Sequence, residues 1–523
     1  MAKQSAGKPR LNYPLTILTG FGFLATSVAW PLYDSYIPKI LERLLSQSSF
    51  VSGLSEKLAG SRLLADYIAS QGWEGASAAG RFTLVPLFIG IVMTFDNIFG
   101  VIFQPYFGKL SDRCHSRWGK RRPFIFFGAP ISALLFLMIP WMRTLPAVML
   151  CIILFVFVMS LWRSPVVALM PDLTPPPLRS EGNAVINLMG GVGGAIGLGA
   201  GSVITAIYLA AKHMTKESPG YDEFGTFPIV FAVGAVVMVL GMLVLAFFVK
   251  EKDSRLLSAD VLAARDEAQR RAAEKEARLQ EKQARKAEKL SRGERMSLIA
   301  MLGGLFFLFC GANAIQTFFT LFAAEILHRD TAQATFLLLI FAVCSMAAAL
   351  PAGWLGRKIG RKKTILIGLL LFLGAFVLFF LVFLALKGPT GLSIGEFVRL
   401  NGTDPGSEAV GWTVRLLAKM IFPVLMVAGA ANMMITVNTL PLVLEIGGLS
   451  KVGTFTGYYY TATFSAQIAS PIAYGFLRIF SGTYLSLFYY APVLFVLSFL
   501  LICLVKHGEA IPQEVIREAE EEG

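Results

Sequence analysis

The chain has 523 residues, of which 55% are hydrophobic and only 15% charged, with a mean hydropathy of +0.63 and a formal net charge of +13. Soluble chains carry about 25% charge, so a sequence this long and this apolar excludes a soluble enzyme, a disordered tail protein and a secreted disulfide scaffold. The five cysteines (Cys114, Cys151, Cys310, Cys344 and Cys503) are scattered, four in apolar runs and one in a basic loop, and form neither a disulfide framework nor a metal site.

The first apolar run, 15–38, follows Lys3, Lys8 and Arg10 as a secretion signal would. It is too long for a signal core, carries Asp34 and lacks a small-residue cleavage site, so it reads as a retained helix. Eleven more runs follow, at 84–108, 123–142, 146–170, 184–211, 227–249, 298–322, 331–355, 363–386, 416–440, 453–477 and 483–505. Runs of this length cross roughly 30 Å of hydrocarbon as helices with some tilt, whereas barrel strands would be shorter and alternating. The expected fold class is an all-α polytopic membrane protein of twelve transmembrane helices, spans 1–12.

Lys and Arg set the orientation. With a cytoplasmic N-terminus, about 32 of them fall inside and about 14 outside, the inside set including the clusters 113–122 and 357–363. Both termini are therefore expected to be cytoplasmic, in a plasma or inner membrane. The +13 charge is read as basic loops facing anionic lipid, not as a nucleic-acid surface. Residues 250–297 are rich in Ala, Glu, Lys and Arg without a sustained apolar stripe, and read as a solvated cytoplasmic linker helix with pairs such as Glu281 and Arg285. The expected organisation is a six-helix bundle over 1–249, this linker, a second six-helix bundle over 298–506 and a cytoplasmic tail over 507–523.

The halves echo each other. Span 2 ends in GKLSDRCHSRWGKRRPF (108–124) and span 8 in GWLGRKIGRKKT (353–364). Both place glycine, then basic residues, then Gly-basic-basic after the second helix of a half. Such repetition marks two related bundles that rock about a central site.

Gly108, Asp112, Arg113, Gly119, Lys120 and Arg121 resemble the loop motif of the major facilitator superfamily. The run SRWGKRRPF and the segment LWRSPVVALMPDLTPPPLRSEGNAVINLMGGVGG (161–194) resemble, more narrowly, the glycoside–pentoside–hexuronide:cation symporters and their sucrose-transporter-like relatives. NAIQTFFTLFAAEIL (313–327) and GTFTGYYYTATFSAQIASPIAYG (453–475) are similar to the seventh and eleventh helices of that branch. The resemblance implies two pseudo-symmetric six-helix bundles, and transport by alternating access. It leaves the coupling ion open: Gln104 and Gly100 stand where that branch often carries sodium-binding carboxylates, and Arg357 stands where the second-half loop would match Asp112.

Residue chemistry supplies the candidate site. An unpaired carboxylate at the mid-depth of span 2 costs several kcal/mol or stays protonated, which makes Asp96 the candidate proton acceptor. Arg163 in span 4 cannot readily lose its proton and needs an acceptor. If spans 2 and 4 adjoin, as the resemblance implies, a gated Asp96–Arg163 pair follows, the alternative being Arg163 reaching toward Asp172. Asp34 and Tyr33, beside Pro31 and Pro38 with Trp30 and Tyr36 nearby, offer a hydroxyl acceptor and aromatic faces to a sugar. Asn313 and Gln316 share a face of span 7, and uncharged amides suit a polyhydroxyl ligand. Asn432 and Tyr459 complete the substrate candidates. Asp112, Arg113, Arg117, Arg121, Asp172 and Arg179 read as a charge latch between the bundles at the cytoplasmic end.

No catalytic constellation and no phosphate loop are present in the sequence, and Asn401 heads a glycosylation pattern, NGT. The expectation is a non-enzymatic, monomeric secondary transporter. It takes up a sugar or glycoside with protons, and holds no metal or cofactor. Its rivals are a transporter of another solute or an exporter, a sodium-coupled symporter, and a non-transporting receptor or scaffold.

Overall fold

The computed structural model describes residues 11–70, 82–114, 116, 118–174, 179–216, 218–249, 291–404, 406–447 and 452–507. Among these it is all-helical, with only a lone bridge between Ser116 and Gly119 outside the helices. The expected linker over 250–297 lies outside the described residues up to 290, as does the expected tail from 508 onward.

Span 1 is two helices, α1 (Tyr13–Ser27) and α2 (Ala29–Ser46). Asn12 caps α1 by accepting from the Leu15 amide at 3.3 Å. The break at Val28 has a covalent cause. Pro31 has no N–H to donate and its ring crowds the carbonyl four residues back, that of Ser27, where α1 ends. After span 1, α2 runs on to Ser46, and α3 (Ser49–Ala59) and α4 (Arg62–Ser70) follow before span 2. Span 2 divides into α5 (Val85–Met93) and α6 (Phe95–Asp112) at Thr94, whose hydroxyl donates to the Ile91 carbonyl at 2.7 Å, a back-bond that bends helices. The first half continues with α7 (Arg122–Met138), a 3-10 turn at Ile139–Trp141, α8 (Leu145–Leu173), α9 (Arg179–Ala211) and α10 (Phe227–Phe248).

The second half opens with α11 (Arg292–Leu327), where Ser291 and Glu294 form a capping box. The expected linker boundary at 297 therefore falls inside a helix: two reciprocal capping bonds start it at 292, well before its apolar residues begin. Next come α12 (Thr331–Ile359) and α13 (Arg361–Lys387), joined by Gly360 alone at φ 95, a conformation that favours glycine. The remainder is α14 (Ile394–Thr403), α15 (Glu408–Gly447), α16 (Val452–Ser481) and α17 (Leu487–Cys503).

Among the described residues, eleven of the twelve expected spans are long and apolar enough to cross a membrane. The other, span 11, is the 30-residue helix α16, whose Tyr, Thr, Ser and Gln residues dilute its apolar ones. Within the first half, α1 packs on α9 and α10, α7 on α8 and α10, and α6 on α8. Within the second, α15 packs on α12 and α13, and α11 on α16 and α17. Phe376, Phe379 and Phe488 lie at the centre of the second core, with Phe488 ring centroids 5.1 and 4.4 Å from the other two. Such buried ring pairs add about 0.5–1.5 kcal/mol each beyond area burial.

The halves meet where α5 packs on α16, α9 on α12 and α2 on α11. These contacts gather at the end opposite the basic clusters 113–122 and 357–363. There the Ser202 hydroxyl donates to the Ala332 carbonyl at 2.7 Å and the Tyr67 hydroxyl to the Phe480 carbonyl at 2.8 Å. Two glycines face prolines reciprocally: Gly90 abuts the Pro471 carbonyl, and Gly475 the Pro86 carbonyl. The molecule is shut at this end.

Asn401, which heads the NGT pattern, is fully buried. Its amide nitrogen donates to the Glu325 and Ile326 carbonyls at 3.0 and 3.2 Å, and its oxygen meets His328 Nε2 at 2.8 Å. The side chain is consumed in bracing the turn between α11 and α12 and offers no acceptor.

Candidate functional site

The break at Val28 precedes the residues that matter. It turns α2 so that Pro31, Asp34 and Ser35 line a cavity of about 230 Å³ between the halves. The opposite wall comes from Gln316 of α11, Phe341 of α12, Phe376 of α13 and Asn432 of α15. Gln316 Nε2 donates to Asp34 Oδ2 at 3.0 Å across the two halves. One wall is thus acidic and the other carries amides among aromatic rings.

Three charges share this region. Asp96, half-buried at the start of α6, accepts from the Asn97 amide at 2.9 Å. Arg163, half-buried on α8, lies in the field of both Asp96 and Asp34, without a direct ion pair to either among the described residues. Its guanidinium instead rests over the Trp30 ring at 5.0 Å, where a cation is attracted by the ring quadrupole. With both carboxylates ionised, the cluster carries two negative charges against one positive. Addition of one proton makes it neutral.

The sequence-derived candidates divide accordingly. Asp34, Gln316 and Asn432 reach the cavity together, and Asp96 and Arg163 lie in one electrostatic cluster with Asp34. Tyr33 is not among the residues lining the cavity. It is fully buried within the first half, stacked on Phe155 at 6.1 Å and edge-on to Trp30 at 6.0 Å, because its position on α2 points it away from the cavity. Tyr36 is likewise core, edge-on to Phe227 at 4.8 Å. Asn313 is half-buried and accepts from the Thr317 hydroxyl at 3.1 Å within its own helix. Tyr459 is the half-buried member of the tyrosine triplet, its hydroxyl 3.5 Å from that of Thr439, outside the set lining the cavity.

The expected interbundle latch is corrected in its connectivity. Arg121, buried to 7% side-chain exposure, pairs with Asp112, donates to Asp172 at 3.0 Å and to the Gly108 carbonyl at 3.3 Å. These partners all belong to the first half, and through them Arg121 staples α6 to α8. Asp172 is thereby committed to Arg121 rather than to Arg163. Arg113 is the C-cap of α6. Arg117 and the side chain of Arg179 lie outside the described residues. The second half has its own staple at this end, Arg361 to Glu445.

Sequence reading missed the aromatic wall: Phe341, Phe372 and Phe376 sit in uniformly apolar runs, where nothing marks one phenylalanine as facing a cavity. It also missed the Trp30–Arg163 stack, which joins residues far apart in the chain.

The sequence profile of the Major Facilitator Superfamily matches residues 15–395 and 301–522. An isoprimeverose transporter from Lactiplantibacillus pentosus is 23% identical over 385 residues, covering 72% of each chain. The sucrose transport protein SUC3 of Arabidopsis thaliana is 29% identical over 134 residues, 20% of this chain and 21% of that one. Among solved structures, a bacterial homolog of the human lysosomal transporter Spinster, in an inward-facing and occupied conformation, superposes with a TM-score of 0.59 at 11% identity, over 96% of this chain and 97% of the other.

Proposed function

This chain belongs to the Major Facilitator Superfamily and is an integral membrane transporter; we propose that it is a proton-coupled sugar or glycoside symporter working by alternating access. The observation that carries the reading is the charge balance of the central cluster: Asp34 and Asp96 against Arg163, beside a cavity shared by both halves. A cluster short by one positive charge is costly to enclose in a low-dielectric interior, and one proton neutralises it. Proton uptake therefore lowers the cost of closing the cavity around a solute. Asp96 is assigned the proton, and Asp34, Gln316 and Asn432 the solute.

The solute class follows from the donors. Gln316 and Asn432 supply neutral amides, Asp34 an acceptor, and Phe341 and Phe376 apolar faces, the set that suits a polyhydroxyl ring. The named relatives that carry isoprimeverose and sucrose support a sugar. The positive-inside rule makes the basic end cytoplasmic. The described conformation, shut at the other end, is then the inward-facing one. Each chain holds a complete cavity, so a monomer suffices.

The test uses the purified protein in liposomes with imposed pH and sodium gradients and a panel of sugars. Asp96→Asn is expected to abolish uphill, proton-driven accumulation while leaving solute binding and exchange intact. Equal pH-driven accumulation by the variant overturns the assignment of Asp96. Accumulation that follows a sodium gradient at fixed pH overturns proton coupling, and no binding across the panel overturns the sugar.

A further inference from the structure

At the shut end, one half of the molecule completes a helix terminus belonging to the other. Helix α12 begins at Thr331 and, like any helix, leaves its first amides without partners. Asp330, its own N-cap, accepts from the Gln333 amide at 2.8 Å. The Thr331 amide is satisfied from across the interface: Glu223 Oε2, on the connection between α9 and α10, accepts from it at 2.9 Å and from the Thr331 hydroxyl at 3.1 Å. Thr331 is buried at 2% exposure, so little water competes for these bonds.

Both sides of this contact are braced. On the first half, Asp222 accepts from the Phe224 amide at 3.1 Å and pairs with Arg43 of α2 at 3.1 Å, while the Arg43 guanidinium lies over the Phe224 ring at 4.2 Å. This fixes the short 3-10 turn at Glu223–Gly225 that aims Glu223 at α12. On the second half, His328 takes a left-handed conformation at φ 48 and Asn401 holds the turn around it. Lys216, from the first half, meets Asp330 Oδ2 at 2.5 Å, and the Tyr221 hydroxyl reaches the same oxygen at 3.4 Å.

We propose that Glu223 is a gating residue: as a cap for α12 supplied in trans, it holds the outer end shut and sets the ratio of inward-facing to outward-facing molecules. The cap exists only while the halves touch. When they part, the Thr331 amide and the Glu223 carboxylate each fall back on water, and Asp330 keeps only its own capping bond. Glu223 touches neither the cavity nor the charged cluster. Its effect is on the conformational equilibrium and reaches the solute only through that.

The inference rests on the alternating-access part of the proposed function, not on the identity of the solute or ion. Spin labels at Ser61→Cys and Thr403→Cys, exposed positions on the two halves at this end, report its opening. The background carries serine at Cys114, Cys344 and Cys503, the cysteines that are not buried. No sugar or gradient is needed. Glu223→Ala is expected to raise the separated population about tenfold, the scale of a lost charge-assisted cap. Glu223→Gln, which keeps an acceptor but no charge, is expected to shift it less. An unmoved distance distribution in Glu223→Ala, or a shift toward the closed form, overturns the proposal, as does a fall in Tm with populations unchanged. The Asp96 assignment stands or falls separately, on accumulation.

Discussion

The reciprocal glycine–proline crossing between α5 and α16 allows a quantitative test of how the outer end closes. A methyl group at Gly475 would lie 2.5 Å from the Pro86 oxygen, 2.8 Å from the Leu87 Cα and 3.0 Å from the Pro86 carbonyl carbon. All three are backbone atoms of the other half, so no rotamer change relieves the overlap. Normal carbon contacts need about 3.5–4.0 Å, and Gly475→Ala therefore forces the two helices apart. Overpacking of this kind costs about 1–3 kcal/mol, and the cost vanishes once the halves separate. A free-energy difference of that size moves a two-state equilibrium by roughly 5- to 150-fold. The expected result is a protein that folds and inserts but occupies the outward-open form, with the Ser61–Thr403 label distance lengthened. Gly374→Ala serves as control, since a methyl group there meets nothing within 4 Å. If Gly475→Ala gives the parent's distance distribution, the close approach is not what holds the ends together.

Arg163→Lys is expected to lower proton-driven uptake at least about tenfold while the protein still folds, because the shorter-reaching point charge of an ammonium does not replace the planar guanidinium that lies over Trp30. Parental uptake rates in the liposome assay would show that only the charge matters. Asn401→Ala removes three hydrogen bonds around a buried turn and is expected to cost about 1–3 kcal/mol, read as a lowered Tm, with no change in apparent mass from a lost glycan.

The spans were legible because the bilayer imposes a length and a composition that few other structures share. Asp96 and Arg163 stood out for the same reason: a charge in an apolar run is expensive, hence conspicuous. Position along a helix was less legible than presence. Tyr33 and Asp34 are neighbours in sequence, yet one is packed on Phe155 and the other lines the cavity, because a helix turns about 100° per residue and the break at Val28 resets the phase. The helices α3 and α4 were hidden by their brevity. Arg121 was recognised as part of a charged group, but its partners on α6 and α8 follow from how two helices dock, which no local pattern records. The same holds for Glu223, an unremarkable loop acid until its distance to Thr331 is known.

The joint at Val28 divides the labour of the first span. Its lower segment, α1, rests on α9 and α10 of its own bundle, whereas α2 also touches α5 and α11. A small change of angle there would tilt the upper segment against the partner bundle while its Tyr33 and Tyr36 side stays packed in its own half. Because Trp30 and Asp34 both ride on that upper segment, the tilt would carry the arginine's aromatic rest and one of its two counter-charges together, so that mechanical strain and electrical balance change in a single stroke.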